Sequence, residues 1–166
     1  MIVFLTGPTG SGKTDTSWAL VAASDTLVFL DCDWFAARAG FDWADPGDVD
    51  SVFRAIRSQM DFHIADGRNN FVVTLTLEMA RTFGLAEFAK LAPPVFSFRL
   101  FAAPDVIARR IAGRGRPQSA QEQANAISQQ AAFDRLFPDD ALFMRLDTSA
   151  LDSDDIAKLI ARKIRE

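Results

Sequence analysis

The chain predicts a three-layer α/β fold, a parallel sheet with helices on both faces. Five short runs are continuously apolar and rich in β-branched and aromatic residues: Ile2 to Thr6, Thr26 to Leu30, Asn70 to Leu75, Val95 to Phe101 and Leu142 to Leu146. Strands covered on both faces read this way, whereas strands with one wet face alternate. Between them lie stretches with apolar residues three or four apart, the helical period: Thr14 to Ala23, Pro46 to Ala65, Leu77 to Leu91, Pro104 to Ala112, Ala120 to Leu136 and Ser153 to Arg165. Strand and helix therefore alternate, and parallel neighbours of this kind are joined by right-handed helical crossovers. Asp45-Pro46 and Ala103-Pro104 mark helix starts, and Ser153 precedes two acidic residues at the last one.

At 166 residues and 49% hydrophobic, the chain can bury one substantial core and not two, which predicts a single domain over residues 1–166. A charged fraction of 24% beside that apolar content excludes a disordered chain. The net charge of −4 leaves no global positive field for a nucleic-acid partner. Arg109, Arg110, Arg114 and Arg116 nevertheless cluster, which suits a few phosphates. Cys32 is the only cysteine, so no intramolecular disulfide forms. The apolar runs fall far short of the roughly 20 residues that span a bilayer, and Met1 to Leu5 lacks the charged flank and cleavage site of a secretory leader. The expectation is a cytoplasmic protein, monomer or homodimer, with no membrane partner.

Directly after the first strand stands Gly7-Pro8-Thr9-Gly10-Ser11-Gly12-Lys13-Thr14, which fits G-x-x-x-x-G-K-[ST] and runs into a helix. Its glycines permit backbone angles closed to other residues, so that successive N–H groups converge on phosphate oxygens at the positive end of the helix. Lys13 adds an ammonium for the β- and γ-phosphates, and the Thr14 hydroxyl suits the Mg²⁺ that bridges them. Asp15 completes the nucleotide-binding set. ATP and Mg²⁺ are the expected cofactors. A glycine-rich turn with an exposed lysine is the plainer alternative, and the strand before and helix after argue against it. A nucleotide-binding module without catalysis would use the same cup and stays open.

The second strand runs into Asp31-Cys32-Asp33, and in open parallel sheets the carboxyl ends of strands surround the ligand crevice. Alternation along an extended segment points Asp31 and Asp33 to one side and Cys32 to the other. One carboxylate then suits Mg²⁺ through water and the other the proton of an attacking hydroxyl. The competing reading has one aspartate capping a helix that begins near Trp34. Cys32 is read as a small packing residue.

Together, Gly7 to Thr14 after an N-terminal strand, Asp31-x-Asp33 after the second, and an arginine-rich segment ending in Arg116-Pro117 resemble the shikimate kinase-like group of P-loop kinases. The likeness extends more loosely to gluconate kinases, chloramphenicol phosphotransferases and nucleoside monophosphate kinases. It implies a P-loop NTPase fold with five parallel strands in the order 2-3-1-4-5, a small lid at about residues 112–122 and a substrate-binding region at about 34–67. By position it implies Asp31 as the outer-sphere magnesium residue, Asp33 as the group orienting the acceptor hydroxyl, Arg116 as the lid arginine on the phosphates, and Arg110 as an arginine stacked on adenine. The chain departs from shikimate kinases where a glycine run should follow the third strand, since Thr74 to Glu78 stand there. It departs again at Ala126 to Gln130, which offer no arginine for a substrate carboxylate. Shikimate itself is not the expected acceptor.

Independently of any likeness, Ala108 to Ser119 has the arginines, glycines and proline of a cationic flap that closes on a triphosphate. Trp34, Arg38 and Thr76 are further candidates for the acceptor pocket: an aromatic wall with one arginine, and a hydroxyl beyond the third strand. Phe35 and Phe41 read as core, His63 as structural, and Asp147 to Ser149 as a turn and helix cap. The reading is an ATP- and Mg²⁺-dependent phosphotransferase acting on a hydroxyl of a small molecule. A nucleoside or nucleotide kinase, or a non-catalytic ATP-controlled binding protein, are the alternatives.

Overall fold

The computed structural model describes residues 1–82, 94–115, 117, 119–138 and 142–165. In chain order these form β1 (Ile2–Thr6), α1 (Lys13–Ala22), β2 (Leu27–Asp31), α2 (Cys32–Ala36), α3 (Pro46–Ala65), β3 (Asn70–Leu75), α4 (Leu77–Thr82), β4 (Val95–Phe101), α5 (Pro104–Ala112), α6 (Ser119–Leu136), β5 (Met144–Asp147) and α7 (Ser153–Arg165). The strands make one parallel sheet in the order β2-β3-β1-β4-β5. The fold class and strand order are those expected.

Burial on both faces explains why the strands are apolar without alternation. Ile2, Phe4, Phe71, Val73 and Leu75 meet Val49, Val52, Phe53, Ile56 and Met60 of α3 on one face. On the other, Val3, Leu5, Val72, Phe98 and Leu100 meet Leu20 of α1 and Ile156, Ala157 and Ile160 of α7. Phe35, Phe41 and Trp43 pack against the first of these clusters, as expected for the two phenylalanines. His63 lies against Phe71 and the neighbouring Phe62, in keeping with a structural part.

Elements with chemical punctuation begin where the sequence places them. Asp45 accepts the Gly47 N–H at 2.7 Å ahead of Pro46, and Asp152 accepts the Asp155 N–H at 2.9 Å ahead of α7. Both are N-cap bonds that satisfy donors a helix end leaves open. Several boundaries differ from expectation by a residue or two. The second strand continues to Asp31, the fifth begins at Met144, and a short helix, α2, starts at Cys32, so that the competing reading of a capping aspartate holds for Asp31. The helix starts because the Asp31 carboxylate accepts the Asp33 N–H at 3.1 Å and turns the chain at once. Of the long helix expected over Leu77 to Leu91, residues 83–91 lie outside the described residues.

Helix α6 is fastened to the sheet by a buried charge. Arg99 on β4, 1% exposed, donates to Asp134 Oδ1 at 2.8 Å and to the Phe137 carbonyl at 3.5 Å. Gln130 of the same helix accepts the Ala102 N–H at 3.4 Å. Among the described residues no helix is long and apolar enough to cross a membrane. Arg99→Ala, which empties a core position and removes the anchor of α6, is expected to cost about 3 kcal/mol of unfolding free energy. Urea denaturation measures it, and a loss below about 1 kcal/mol would show that α6 does not depend on this pair.

Candidate active site

The segment between β1 and α1 is shaped by close approach. A Cβ on Gly7, where φ is +140°, would lie 2.2 Å from the Leu100 carbonyl oxygen, so only glycine lets the loop leave β1 against β4. Gly12 sits at α1's N-terminus with φ +99° and ψ 12°, the left-handed region, and no side chain caps the helix. Helices leave their first N–H groups without intrahelical partners. Lys13, Thr14 and Asp15 line the cleft at this end, where the helix dipole favours negative charge.

Lys13 folds back over the loop, and its ammonium donates to the carbonyls of Gly7 at 2.8 Å and Pro8 at 3.2 Å. Burial lowers its pKa, Arg114 lowers it further, and the groups at Cys32, Asp33 and Asp31 oppose the shift. Two carbonyl dipoles therefore hold a cation that lacks full hydration. Charged phosphate oxygens are better partners for it than neutral carbonyls.

The carboxylates approach from β2. Register sets Asp31 beside Thr74 of β3, whose hydroxyl donates to Asp31 Oδ1 at 2.8 Å while accepting the Cys32 N–H at 3.2 Å. Asp31 Oδ2 accepts the Thr14 hydroxyl at 3.2 Å. One buried carboxylate thus joins the phosphate loop, the start of α2 and β3. Asp33 opens on the same cleft, although it is carried there by α2 and not by strand alternation. Its pKa is raised, first by desolvation in the cleft and then by the charge of Asp31, with Lys13 opposing.

Asp31, Cys32 and Asp33 offer ligand atoms within 4.8 Å of one another. Cys32, however, is in the core, and burial together with the two carboxylates drives its thiol pKa well above the ordinary value. Its side chain packs into the core and is not part of the cleft lining. What remains is a set of hard oxygen donors, the Thr14 hydroxyl and two carboxylates, which fits Mg²⁺ and not a thiophilic metal.

These groups line one cleft of about 730 Å³, with Thr9, Gly10, Gly12, Lys13, Thr14 and Asp15 on one side and Asp31 and Asp33 beside them. Arg110 of α5 closes it together with Gly113 and Arg114 just beyond that helix, and Leu151 to Ser153 with Ile156 form its far end. Pro8 and Ser11 are buried within the loop. Of the arginine cluster, Arg116 falls outside the described residues. Arg110 and Arg114 of that cluster are on the wall.

Three acceptor candidates are not brought to the cleft. Trp34 turns outward, its ring 5.1 Å from Phe29 and 6.3 Å from Trp18, because the helical turn after Asp33 rotates it to the sheet edge. Arg38 pairs with Asp48 and lies over Phe41, bracing the connection into α3. Thr76 accepts the Met79 N–H at 3.3 Å as a cap for α4. Sequence reasoning also missed Gln129, whose side-chain carbonyl accepts the Thr9 N–H at 3.4 Å and brings α6 to the phosphate loop. No signal in the sequence marked it beyond its helix.

No protein-family model and no curated protein matches the chain. Solved structures do. The chain aligns over 99% of its length with 94% of a sugar kinase from Janibacter sp. HTCC2649, at a TM-score of 0.70 and 20% identity. The fold is that of the shikimate kinase-like P-loop kinases. All of the chain superimposes on 99% of shikimate kinase from Bacteroides thetaiotaomicron at a TM-score of 0.68 and 16% identity. The Deinococcus radiodurans tunicamycin resistance protein matches 99% of this chain and 95% of its own at 0.63 and 14%.

The raised pKa of Asp33 makes a stability prediction. Between the unfolded and folded pKa values the native state binds more protons than the unfolded chain, so stability falls as pH rises through that window. Asp33→Asn cannot ionise and escapes the penalty. It is expected to melt at a higher temperature than wild type at pH 7, the gap closing as pH falls below the ordinary value of 3.8. An unchanged or lower melting temperature at pH 7 would contradict the strained carboxylate.

Proposed function

We propose that the chain is an ATP- and Mg²⁺-dependent phosphotransferase that moves the γ-phosphoryl group to a hydroxyl of a small molecule. The observation that carries this reading is the meeting, in one cleft, of an uncapped helix end with Lys13 and two carboxylates, one of them bonded to Thr14. Amides for the phosphates, a cation for transferring charge and a carboxylate for the acceptor are the parts that phosphoryl transfer requires. The kinase folds that the chain resembles, sugar kinase and shikimate kinase among them, support it. We assign the chain one catalytic domain over residues 1–166, acting in the cytoplasm as a monomer or homodimer.

Within that reading, Lys13 leaves the Gly7 and Pro8 carbonyls for the β- and γ-phosphates and follows the charge as it develops. Asp33 accepts a hydrogen bond from the acceptor hydroxyl, orients its oxygen in line with the γ-phosphorus and takes its proton as the new P–O bond forms and the bond to the leaving ADP breaks. Its raised pKa strengthens it as a proton acceptor. Thr14 and Asp31 would hold Mg²⁺, which supplies charge neutralisation on the bridged phosphates when bound. Arg110 of α5 and Arg114 of the turn after it face the nucleotide, and Arg116 is assigned to the lid over the phosphates.

The test is ADP release, with ATP and Mg²⁺, across a panel of sugars, polyols, aminocyclitols and nucleosides. Lys13→Ala is expected to lose at least about 10²-fold in turnover. Asp33→Asn should bind ATP as wild type does and lose transfer by about 10²- to 10⁴-fold. If Asp33→Asn abolished ATP binding, or if wild type phosphorylated nothing while ATP still bound, the catalytic assignment would fall.

A further inference from the structure

Behind the phosphate loop lies a polar knot centred on Thr148, to which the proposed chemistry gives no part. Thr148 follows β5 and is fully buried. Its hydroxyl lies 3.1 Å from the Ser11 carbonyl and 3.0 Å from that of Phe101, and its own N–H donates to Phe101 O at 2.8 Å. The same hydroxyl accepts from Arg110 Nη1 at 3.0 Å. Arg110 spends the rest of its fork on the carbonyls of Thr148 at 2.7 Å, Leu151 at 3.3 Å and Gly10 at 3.4 Å.

This knot joins the two ends of the cleft. Gly10 and Ser11 belong to the loop that offers amides to phosphates, while Leu151 opens the segment that forms the opposite wall with Asp152 and Ser153. A peptide unit whose carbonyl is held from behind cannot rotate freely, so fixing Gly10 O and Ser11 O also fixes the N–H groups of the residues that follow. The guanidinium is planar and its edge is taken by carbonyls and the threonine, which leaves it locked in orientation where it lines the cleft. Gly10, Ser11 and Thr148 are buried, so the bonds to their polar atoms are expensive to lose.

We infer that Thr148 is a positioning residue: with Arg110 it fastens the phosphate loop to the Leu151–Ser153 wall, so that the phosphates and the base of one nucleotide meet a single rigid frame. The inference rests on the cleft being a nucleotide site. It assigns a part in binding to a residue that never touches the ligand, and it makes the affinity gained from the base depend on a hydroxyl behind the loop.

Calorimetric titration of the intact protein with Mg·ADP and, separately, with Mg·pyrophosphate tests it. Wild type should bind ADP more tightly than pyrophosphate. Thr148→Val keeps the shape and removes the hydroxyl. It should weaken ADP about tenfold, the size of one lost bond to a charged group, and pyrophosphate less than about threefold. Thr148→Ser should restore ADP binding to within about twofold. Thr148→Ala removes the same hydroxyl and replaces the valine variant if that does not fold. Failure of wild type to bind ADP sinks the nucleotide reading itself. Normal wild-type binding with ADP unchanged in the hydroxyl-free variant, with equal losses for both ligands, or with no rescue by serine sinks the inference alone.

Discussion

The geometry of the site hangs on the contact between Gly7 and the carbonyl of Leu100. Two neighbouring parallel strands sit at their hydrogen-bonding distance, and the chain leaving β1 must pass directly over β4 before it turns into α1. Any side chain at position 7 would collide with backbone, which cannot move aside as the tip of a side chain can. Because the loop lies that close, the start of α1 is held above the C-terminal ends of β1 and β3. That is where the carboxylate of Asp31 reaches Thr14. The uncapped end of α1 and acidic residues are thus placed side by side.

That arrangement sets charges of opposite sign under shared desolvation. Asp31 is satisfied by Thr74, Thr14 and the Asp33 amide, three donors that suit an ionised carboxylate. Asp33, one helical step away, has the charge of Asp31 as a neighbour and has its pKa raised. Two carboxylates of one short segment thus sit in different surroundings, Asp31 held by three donors and Asp33 open on the cleft. Lys13 is kept from full hydration and from an ion-pair partner at bonding distance, resting on carbonyls that a phosphate can outcompete.

Much of this was legible in the residues. The phosphate loop is a contiguous pattern, so the placement of Lys13 and Thr14 followed from local spacing. Helices α3 and α5 were legible because proline stands at their first positions, and β1, β3 and β4 because burial on both faces makes them apolar throughout. What escaped was whatever depends on a single turn of chain or on contacts across it. Asp31 caps α2, and the turn that follows carries Asp33 to the cleft and Trp34 to the sheet edge. Arg38 found its carboxylate at Asp48, and Thr76 found an amide at Met79, both local satisfactions that leave no trace in periodicity. Thr148 stands 137 residues from Ser11 along the chain, and no local pattern connects them.

The central claim is that this cleft receives the phosphates of a nucleotide together with a divalent cation. Calorimetric titration of the wild-type protein with a non-hydrolysable ATP analogue, run with and without Mg²⁺, tests it most directly. The account predicts saturable binding of one analogue per chain, strengthened by Mg²⁺ in wild type and no longer strengthened by it in Asp31→Asn. Absence of binding at millimolar analogue in both conditions, by a protein shown to be folded, would contradict it.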